Sequence, residues 1–585
     1  MGRINKTKKN LSMNLLFPLI SSVLLAGSCG EKTGPDTGST DKLPDTGITP
    51  ELIAVDPMQK VLPGDKLTEN KESKTAYCAK GEYAFFQTVI RKNGFHSFSA
   101  ADITFYGPDG ATLTGEIGWV GYVGCTNVFY GAGDYLLTSP NGKYPDPVFE
   151  EYDTKYTIED YQPILVSVWV PENAKEGTYV GKLNVDATSF TDGKASIGDS
   201  FTLNVYPVTV PEQTLYVSNW VSEHPDQYKY MNLGADVEMF SPQFWRYTEK
   251  VAEMAAKHRI NVHFIWEPLN FVDFELSDNG KYTFDFSNMA RDIEIFEKAG
   301  RIDRLEINRY AYPHSSVGVS MQVLEYDEKG NKIKALCAID DPRTENFYSQ
   351  YLPALREFLK ERGLLDKCMQ HIYDEPTKEQ LGAYKKISDM MRKYFPEAKL
   401  IDATCNVQML NGMLDIWVPQ VDALKNNYDF LKSRVEQTDE ELWFYTCMNP
   451  QGNFVNRFIE KPLMETRMTF WINYKYDVTG FLYWSFNDFF FDDVFKETAW
   501  LENKSPGGDC YIVYPAYEKL LPSLRLYAQT SGIADFELLK LLSKTNPGKA
   551  QEIAGIMVKD FDKYEYDLKV FRKARKDLLD ALCGK

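Results

Sequence analysis

The stretch His371-Ile372-Tyr373-Asp374-Glu375-Pro376 places two carboxylates side by side, where a strand-like run ends and a helix begins. An acid pair at the C-terminal edge of a strand is suited to hold the proton donor of a site that cleaves glycosidic bonds. Neighbours in sequence cannot lie on opposite faces of a sugar ring, as a separate nucleophile and acid must. If both residues act, one therefore donates the proton and the other has a different role.

The same residues also fit a structural role at the start of a helix. Pro376 is suited to the first turn of a helix, and the acids before it can cap free N–H groups at the positive helix end. Thr377 and Gln380 have the spacing of a capping box. Taken alone, these residues favour helix capping over catalysis, so the surrounding elements must decide between the two interpretations.

The composition excludes some classes of function. The chain has 585 residues, which is too long for one compact core and predicts two or more domains. A formal charge of −18 argues against nucleic acid as a partner. Aromatic residues make up 14% of the chain, which suits a carbohydrate site and equally suits a large β-rich core. The six histidines are scattered, without zinc-type cysteine pairs or a phosphate loop, so neither a metal nor a cofactor is predicted.

The N-terminus has the pattern of an export signal. A basic start is followed by a mostly apolar run from Leu15 to Leu25 and then by Ala26-Gly27-Ser28-Cys29. The sequence predicts a bacterial lipoprotein signal at 1–28, with lipid attached to Cys29, and the alternative is an ordinary secretory signal with an incidental cysteine. Residues 29–50 are rich in Gly, Pro, Ser, Thr and Asp and predict a flexible tether. We therefore expect a lipid-anchored protein of the bacterial cell envelope, at the outer membrane or cell surface.

Residues 51–210 predict a β-sandwich domain, because short strands alternate with turns and no long helical period occurs. Pro207 and Pro211 mark its end. Cys78 and Cys125 both fall in this domain, and the sequence leaves open whether they form a disulfide.

Residues 211–514 alternate between strand and helix patterns and predict a (β/α)8 TIM-like barrel. Eight strand candidates are expected at 215–220, 261–266, 303–307, 369–373, 399–404, 414–418, 442–446 and 480–485. An open doubly wound sheet is the alternative, although the chain has no Gly-rich dinucleotide turn. The C-terminal part, 515–585, is predicted to be a helical segment packed on the barrel.

Active sites of such barrels collect at the C-terminal ends of the strands, where Asp374 and Glu375 follow the fourth strand. Other polar and aromatic residues follow their own strands in the same ring, and each alone is more often a core residue than a ligand contact. Together they predict a sugar pocket with flat ring faces and hydrogen-bonding groups, lined by Trp266, Asn308, Asn406, Trp417, Tyr445, Trp484 and Asn487.

Several segments carry a family resemblance: Tyr373-Asp374-Glu375-Pro376, Gly480-Phe481-Leu482-Tyr483-Trp484-Ser485, Gly508-Asp509-Cys510-Tyr511-Ile512-Val513-Tyr514-Pro515, Leu524-Arg525 and Gly532-Ile533-Ala534-Asp535-Phe536-Glu537. On these motifs the chain resembles glycoside hydrolase family 123, the β-N-acetylgalactosaminidases, over nearly all of its exported part. A β-sandwich before a barrel is the domain order of that family. Cys510 stands where the family pattern has glycine.

The resemblance implies an exo-acting hydrolase that removes terminal β-linked N-acetylgalactosamine from glycans such as glycosphingolipids. It also implies substrate-assisted catalysis, in which the 2-acetamido oxygen of the sugar attacks the anomeric carbon. In that scheme Glu375 is the general acid and then the base, and Asp374 orients the acetamido group and stabilises an oxazolinium-like intermediate. From their strand positions, Tyr445 is expected to bond the acetamido oxygen and Trp484 to form the floor of the pocket.

Two alternatives remain at this point. A retaining glycosidase could use Glu267, or another acid at a strand end, as a covalent nucleophile. The chain could instead be a surface glycan-binding lipoprotein without catalysis. The sequence leaves open the natural glycan, the choice between galacto and gluco epimers, and the oligomeric state.

Overall fold

The computed structural model describes residues 48–131, 136–138, 141–191, 193–314 and 318–585. The predicted signal at 1–28, the predicted lipid site Cys29 and nearly all of the predicted tether lie outside these residues. The described residues belong to one unit, Thr46–Lys585. Among them, no helix has both the length and the apolar character needed to cross a membrane.

The N-terminal region is rich in sheet, as predicted. The described residues of this region form ten strands, which are β1 (Glu51–Val55), β2 (Thr75–Lys80), β3 (Glu82–Arg91), β4 (Ser97–Ala100), β5 (Ile103–Tyr106), β6 (Thr112–Cys125), β7 (Gly142–Phe149), β8 (Tyr161–Val170), β9 (Gly177–Ser189) and β10 (Gly193–Thr209). They pair in the order β1-β3-β8-β6-β5-β9-β10-β2, with β4 beside β9 and β7 beside β6. Only β10 and β2 pair in parallel within this described sheet.

Side chains that alternate along these strands fill a shared core. In β9, every second residue from Tyr179 to Ala187 is buried, which is the period of a strand with one covered face. Phe86 of β3 packs against Phe105 of β5 and Phe201 of β10, although these strands are not neighbours in the sheet. The sheet therefore curves so that its distant parts enclose one core.

The next part of the chain alternates between strands and helices. Its elements are β11 (Tyr216–Asn219), α1 (Pro225–Tyr228), α2 (Pro242–Lys257), β12 (Val262–Ile265), β13 (Asp273–Leu276), β14 (Tyr282–Asp285), α3 (Ser287–Ala299), β15 (Arg304–Ile307), β16 (Ala311–Pro313), β17 (Val319–Tyr326), β18 (Lys332–Ala338), α4 (Pro342–Glu361), β19 (Cys368–His371), α5 (Leu381–Tyr394), β20 (Lys399–Thr404), β21 (Ile416–Pro419), α6 (Val421–Gln437), β22 (Glu441–Thr446), α7 (Leu463–Lys475) and β23 (Gly480–Tyr483).

Eight of these strands form a parallel, nearly closed barrel in the order β11-β23-β22-β21-β20-β19-β15-β12. Each of the eight strand candidates overlaps one of them. In the described barrel, a side chain joins the two end strands: Asn261 accepts the Val217 N–H at 2.8 Å and donates to the Leu215 carbonyl at 3.1 Å. This amide stands where a strand ladder would otherwise close the ring.

Inward-facing side chains fill the barrel. They come from alternate positions of the strands and include Val262, Phe264, Met369, Ile401, Ala403, Ile416, Val418, Trp443, Tyr445 and Leu482. Gly480 is required beside Trp443, because a Cβ there would lie 2.2 Å from the indole ring. The interior is therefore a packed core, and any site must lie at an end of the barrel.

Two insertions were not predicted from the sequence. Strands β13 and β14 form a hairpin after β12, and β16, β17 and β18 form a three-stranded sheet after β15. The turn Asp327–Asn331 joins β17 and β18 through backbone bonds. Both insertions follow the C-terminal ends of barrel strands, which is the end where active sites form.

The C-terminal part contains a hairpin of β24 (Val513–Ala516) and β25 (Lys519–Pro522), and then α8 (Leu524–Thr545), α9 (Pro547–Met557), β26 (Val558–Asp560), β27 (Lys563–Tyr564) and α10 (Leu568–Leu582). Buried ion pairs join it to the rest of the molecule. Arg525 of α8 pairs with Asp146 of β7 at 2.8 Å, and Arg575 of α10 pairs with Glu82 of β3 at 2.6 Å. These pairs fix the C-terminal helices to the N-terminal sheet.

The eight cysteines of the described residues are free. Cys78 lies in the core of the N-terminal sheet, whereas Cys125 lies in the larger core that the barrel shares with its helices. Membership of different cores explains why these two do not pair. Cys510 is fully buried.

Candidate active site

The acid pair lies on a strained turn after β19. Asp374 and Glu375 have φ values of 97° and 53°, in the left-handed region that residues with a Cβ rarely adopt. Such conformations cost on the order of 1–3 kcal/mol each and persist where surrounding contacts enforce them. Here Asp402 of β20 accepts the N–H groups of Tyr373 at 3.0 Å and Asp374 at 2.8 Å. The Glu375 N–H bonds the Ala403 carbonyl at 2.9 Å, so the turn is tied to the next barrel strand.

A buried acid–histidine–acid group supports this turn from below. His371 lies between Glu306 of β15, 3.2 Å from its Nδ1, and Asp402, 3.4 Å from its Nε2. Burial alone would lower the pKa of His371, but the bonds and charges of the two carboxylates outweigh it and raise that pKa to about 10. The imidazole is therefore protonated at neutral pH and holds the two acids in place. Glu306 also accepts from Ser218 at 2.9 Å and from the Trp220 indole at 3.2 Å.

Asp374 is held ionised by a cation. Burial of its carboxyl would raise its pKa, but the charge of Arg309 and a hydrogen bond from that guanidinium dominate, so the pKa of Asp374 is lowered. Arg309 follows β15, and its guanidinium also lies over the ring of Tyr312. The carboxylate therefore offers a fixed negative charge at the barrel mouth.

Glu375 has the opposite electrostatic character. Partial burial of its carboxyl, followed by the nearby charge of Asp374, raises its pKa, although the Tyr445 hydroxyl donates to it and acts in the other direction. The thiol of Cys405 lies 3.8 Å from the same carboxylate oxygen. Two adjacent carboxyls thus have pKa values shifted apart, which is the arrangement that separates a proton donor from a permanent anion.

Helix capping does not use the two acids. The capping box before α5 is made by Thr377 and Gln380, whose side chain accepts the Thr377 N–H at 3.0 Å. Asp374 and Glu375 instead contact Arg309 after β15 and Tyr445 of β22, which belong to other barrel strands. The structural role considered for the acids is therefore filled by their neighbours.

Four other predicted site residues lie around this end of the barrel. Tyr445 is buried and bonds Glu375, Cys405 at 3.4 Å and Gln420 at 3.2 Å. Asn406 is exposed and donates to the Pro376 carbonyl at 3.5 Å. Trp484 and Trp266 are partly exposed, and the Trp484 indole donates to Asp509 at 3.2 Å. Their roles toward a sugar stay predictions.

Three further predicted site residues are buried. Trp417 is fully buried on the outer face of β21, where its indole donates to Glu440 at 2.7 Å. Asn487 is buried, and its amide bonds both the N–H and the carbonyl of Ser222. Asn308 is also buried, and its amide donates to the Trp266 carbonyl. Their roles toward a sugar stay predictions, and each of these side chains is bonded within the protein.

Sequence reasoning did not identify several residues of the site. Arg309 and Asp402 are its main supports, and neither has a local motif, because their partners lie far away in the chain. Glu267 is paired with Lys334 of β18 at 3.0 Å, and this cation, with a bond from Asn270, lowers the pKa of Glu267 despite its burial. Strand β18 belongs to the unpredicted three-stranded sheet, so this insertion places the positive charge of Lys334 at the rim of the barrel.

Comparison with known proteins shows the family and the fold of this chain. The family model described as glycoside hydrolase 123, catalytic domain, matches residues 227–542. A solved family 123 glycoside hydrolase from Clostridium perfringens, described in terms of glycolipid glycan hydrolysis, superposes with a TM-score of 0.66 at 16% identity. The match covers 92% of this chain and 97% of that one. It supports the common fold.

Other solved structures superpose less well. A GH2 β-galacturonidase from Eisenbergiella tayi has a TM-score of 0.30 at 10% identity, covering 77% of this chain and 69% of its own. A β-galactosidase from Marinomonas ef1 has a TM-score of 0.34 at 8% identity, covering 59% and 62%. No curated protein matches the chain. Because the family model covers more than half of its length, the chain belongs to glycoside hydrolase family 123 and is a glycosidase.

Proposed function

We propose that this glycosidase releases terminal β-linked N-acetylgalactosamine from glycans or glycosphingolipids, with retention of configuration and with the 2-acetamido group of the substrate as the nucleophile. The observation that carries the proposal is the opposite pKa shift of the two adjacent acids. One sequence position supplies a fixed anion, the next a proton donor, and both project from a single turn. The substrate class of the Clostridium perfringens relative, a glycolipid glycan, supports the choice of substrate.

Glu375 acts first as the general acid. Its raised pKa keeps the carboxyl protonated more readily than an ordinary glutamate, so it can protonate the departing glycosidic oxygen. As that bond breaks, the acetamido oxygen attacks the anomeric carbon from the opposite face and closes an oxazolinium-like ring. The resulting carboxylate then removes a proton from water, which opens the ring and restores the acid.

Asp374 acts on the acetamido group. Its carboxylate accepts the acetamido N–H, which orients the oxygen for attack and stabilises the positive charge that develops on the ring. Arg309 keeps this carboxylate ionised before substrate arrives. Because the nucleophile belongs to the substrate, no carboxylate is needed on the far face, and the usual spacing between two catalytic acids does not apply.

Matched aryl substrates test this proposal. We expect turnover of aryl β-N-acetylgalactosaminide to exceed that of the β-N-acetylglucosaminide, and the aryl β-galactoside, which lacks the acetamido group, to be inert. A thiazoline analogue of the cyclic intermediate is expected to inhibit strongly. Comparable turnover of the β-galactoside would contradict catalysis by the substrate's own acetamido group.

A separate carboxylate nucleophile is the second candidate mechanism. Glu267 lies after β12 and is held ionised by Lys334, as a nucleophile must be. If Glu267 is the nucleophile, Glu267→Gln will abolish turnover. The wild-type enzyme will also accumulate a covalent glycosyl-enzyme with a substrate whose intermediate is hydrolysed slowly. Retained activity of Glu267→Gln together with thiazoline inhibition favours the first mechanism.

We also propose the domain layout expected from the sequence: a lipoprotein signal at 1–28, a tether at 29–50, a β-sandwich at 51–210, a TIM-like catalytic barrel at 211–514 and a helical segment at 515–585. Lipidation at Cys29 would place the enzyme at the bacterial cell envelope. Mass spectrometry of the mature N-terminus tests this, with diacylglyceryl cysteine expected at Cys29. Recovery of a Cys29→Ala variant in the membrane fraction would contradict it.

A further inference from the structure

A buried group of Glu223, His263 and Asp292 lies behind the barrel wall, outside the site described above. His263 belongs to β12, and while its neighbours Val262 and Phe264 face the barrel interior, its ring stacks on Phe296 of α3. Asp292 comes from the same helix, and Glu223 lies on the segment between β11 and α1. One ligand atom from each of the three residues lies within 4.8 Å of the other two.

Several polar atoms of this group have no hydrogen-bond partner among the described residues. His263 Nε2 lies 2.7 Å from an oxygen of Asp292, so that nitrogen is committed to a hydrogen bond. Its Nδ1 has no hydrogen-bond partner among the described residues, and neither does either carboxylate oxygen of Glu223. The exposed fractions are 2% for Glu223, 2% for His263 and 0% for Asp292, so bulk water does not reach them. An unpaired buried carboxylate costs several kcal/mol unless a positive charge compensates it.

His263 and Glu223 are too far apart to share a hydrogen bond, and a metal ion between them would bridge the gap. Nδ1 of His263 lies 3.9 Å from the nearer Glu223 oxygen, which is too long for a hydrogen bond. A zinc ion with bonds of about 2.0–2.2 Å to nitrogen and oxygen spans about 3.4 Å in tetrahedral geometry, so a separation of 3.9 Å requires a wider angle or a small shift of the Glu223 side chain.

We propose that Glu223 and His263 bind a divalent transition metal of the Zn²⁺ type, through a carboxylate oxygen and Nδ1. Asp292 accepts the Nε2–H of His263, which fixes the tautomer that leaves Nδ1 free to bind the ion. Both oxygens of Glu223 are unpaired in the described residues, so its carboxylate can bind the ion through one or both of them. The ion fastens the segment after β11 to β12 and α3, and its role is structural because it lies behind the barrel wall.

Metal analysis of the full mature chain tests the proposal. After incubation with ZnCl2 and gel filtration, we expect about one equivalent of zinc per chain, and a higher Tm than for protein stripped with a chelator. Glu223→Gln keeps the side-chain shape but removes the charge, and we expect its zinc uptake to fall by about tenfold or more. Glu253→Gln, an exposed acid of α2, is the matched control and should load like wild type.

A second measurement separates a metal site from a merely strained carboxylate. If no metal binds, Glu223→Gln removes an unpaired buried charge, and its Tm will equal or exceed that of wild type in the presence of zinc. If the proposal holds, zinc-loaded wild type will be more stable than Glu223→Gln, and chelator will abolish the difference. Wild-type protein that takes up no Zn²⁺ and shows no zinc-dependent Tm would overturn the proposal.

Discussion

At the scale of single residues, the adjacent acids Asp374 and Glu375 differ in their contacts and therefore in their charge states. Successive side chains on a regular strand point to opposite faces, whereas the positive φ values at Asp374 and Glu375 direct both toward the barrel mouth. Each then meets a different partner: the guanidinium of Arg309 for one and the phenol of Tyr445 for the other. Two residues of similar intrinsic acidity thereby acquire different charge states.

Removal of the proton donor should depend on the leaving group. Glu375→Gln is expected to lower kcat/KM by roughly 10²–10⁴-fold on an unactivated glycan. The loss should be much smaller on an aryl substrate with an acidic leaving group, because that group departs without protonation. Asp374→Asn should impair both substrates. Steady-state kinetics on the two substrates measures this, with the exposed Glu379→Gln as control; equal losses for Glu375→Gln on both would contradict its assignment as the acid.

The phenol of Tyr445 should set the alkaline limb of the pH profile. A general acid works in its protonated form, so activity falls as pH rises through the pKa of Glu375. The Tyr445 hydroxyl stabilises the charged carboxylate and lowers that pKa against the dominant effect of burial. Tyr445→Phe should therefore raise it and move the alkaline limb of kcat/KM to higher pH. An unchanged limb, or one at lower pH, would show that the bond does not tune the acid.

At the scale of elements, the turn after β19 depends on β20. Asp402 accepts two successive N–H groups of the turn and contacts the protonated His371. Asp402→Asn keeps the size of the side chain but loses its charge, so we expect a loss of roughly 1–3 kcal/mol in the free energy of unfolding. Activity should fall as well, because both acids are displaced. Urea unfolding and kinetics measure the two effects.

Asp389→Asn, at an exposed position of α5, is the control for that change. It should leave both stability and activity near wild type. If Asp402→Asn unfolds like wild type and turns over normally, the strained turn is held by other contacts, and the support assigned to β20 is wrong.

The hydrophobic period of the sequence predicted where the strands and helices lie. It was less informative about which face of a strand each side chain takes. Each expected barrel strand overlaps an observed one, because buried parallel strands are short apolar runs between helices of clear period. The outward orientation of Trp417 could not be predicted, because a fully buried strand has no polar face to set its orientation. The insertions β13–β14 and β16–β18 were missed because their strands are short or partly exposed. Arg309 and Asp402 could not be found, because tertiary contacts alone give them partners.

At the scale of the whole molecule, buried ion pairs join the N-terminal sheet to the C-terminal part of the chain. Arg525 lies in the motif that carried the family resemblance, and its guanidinium contacts Asp146 of β7 and three backbone carbonyls. The family model also extends beyond the barrel strands into α8. Helix α8 therefore belongs to the structural core that the sheet and barrel share.

Loss of Arg525 should destabilise the entire chain. Arg525→Met leaves Asp146 buried without its partner, which costs roughly 3–5 kcal/mol. The matched control is Lys519→Met, since Lys519 pairs with Glu150 between the same two regions but at an exposed position, and it should change stability little. Differential scanning calorimetry measures both. In the wild type, sheet and barrel should melt in one transition, and separate transitions there would show that they are not energetically coupled.

Because side chains fill the interior of the barrel, molecules can reach and leave the acid pair only from the barrel mouth. In the described barrel, Trp443, Leu482 and the other inward side chains block the axis beneath the mouth. Substrate and products must therefore pass through the same opening, the barrel mouth. The aglycone has to depart before water can reach the bound sugar, and the freed monosaccharide leaves last. Accumulated sugar should consequently compete with incoming glycan for the same entrance.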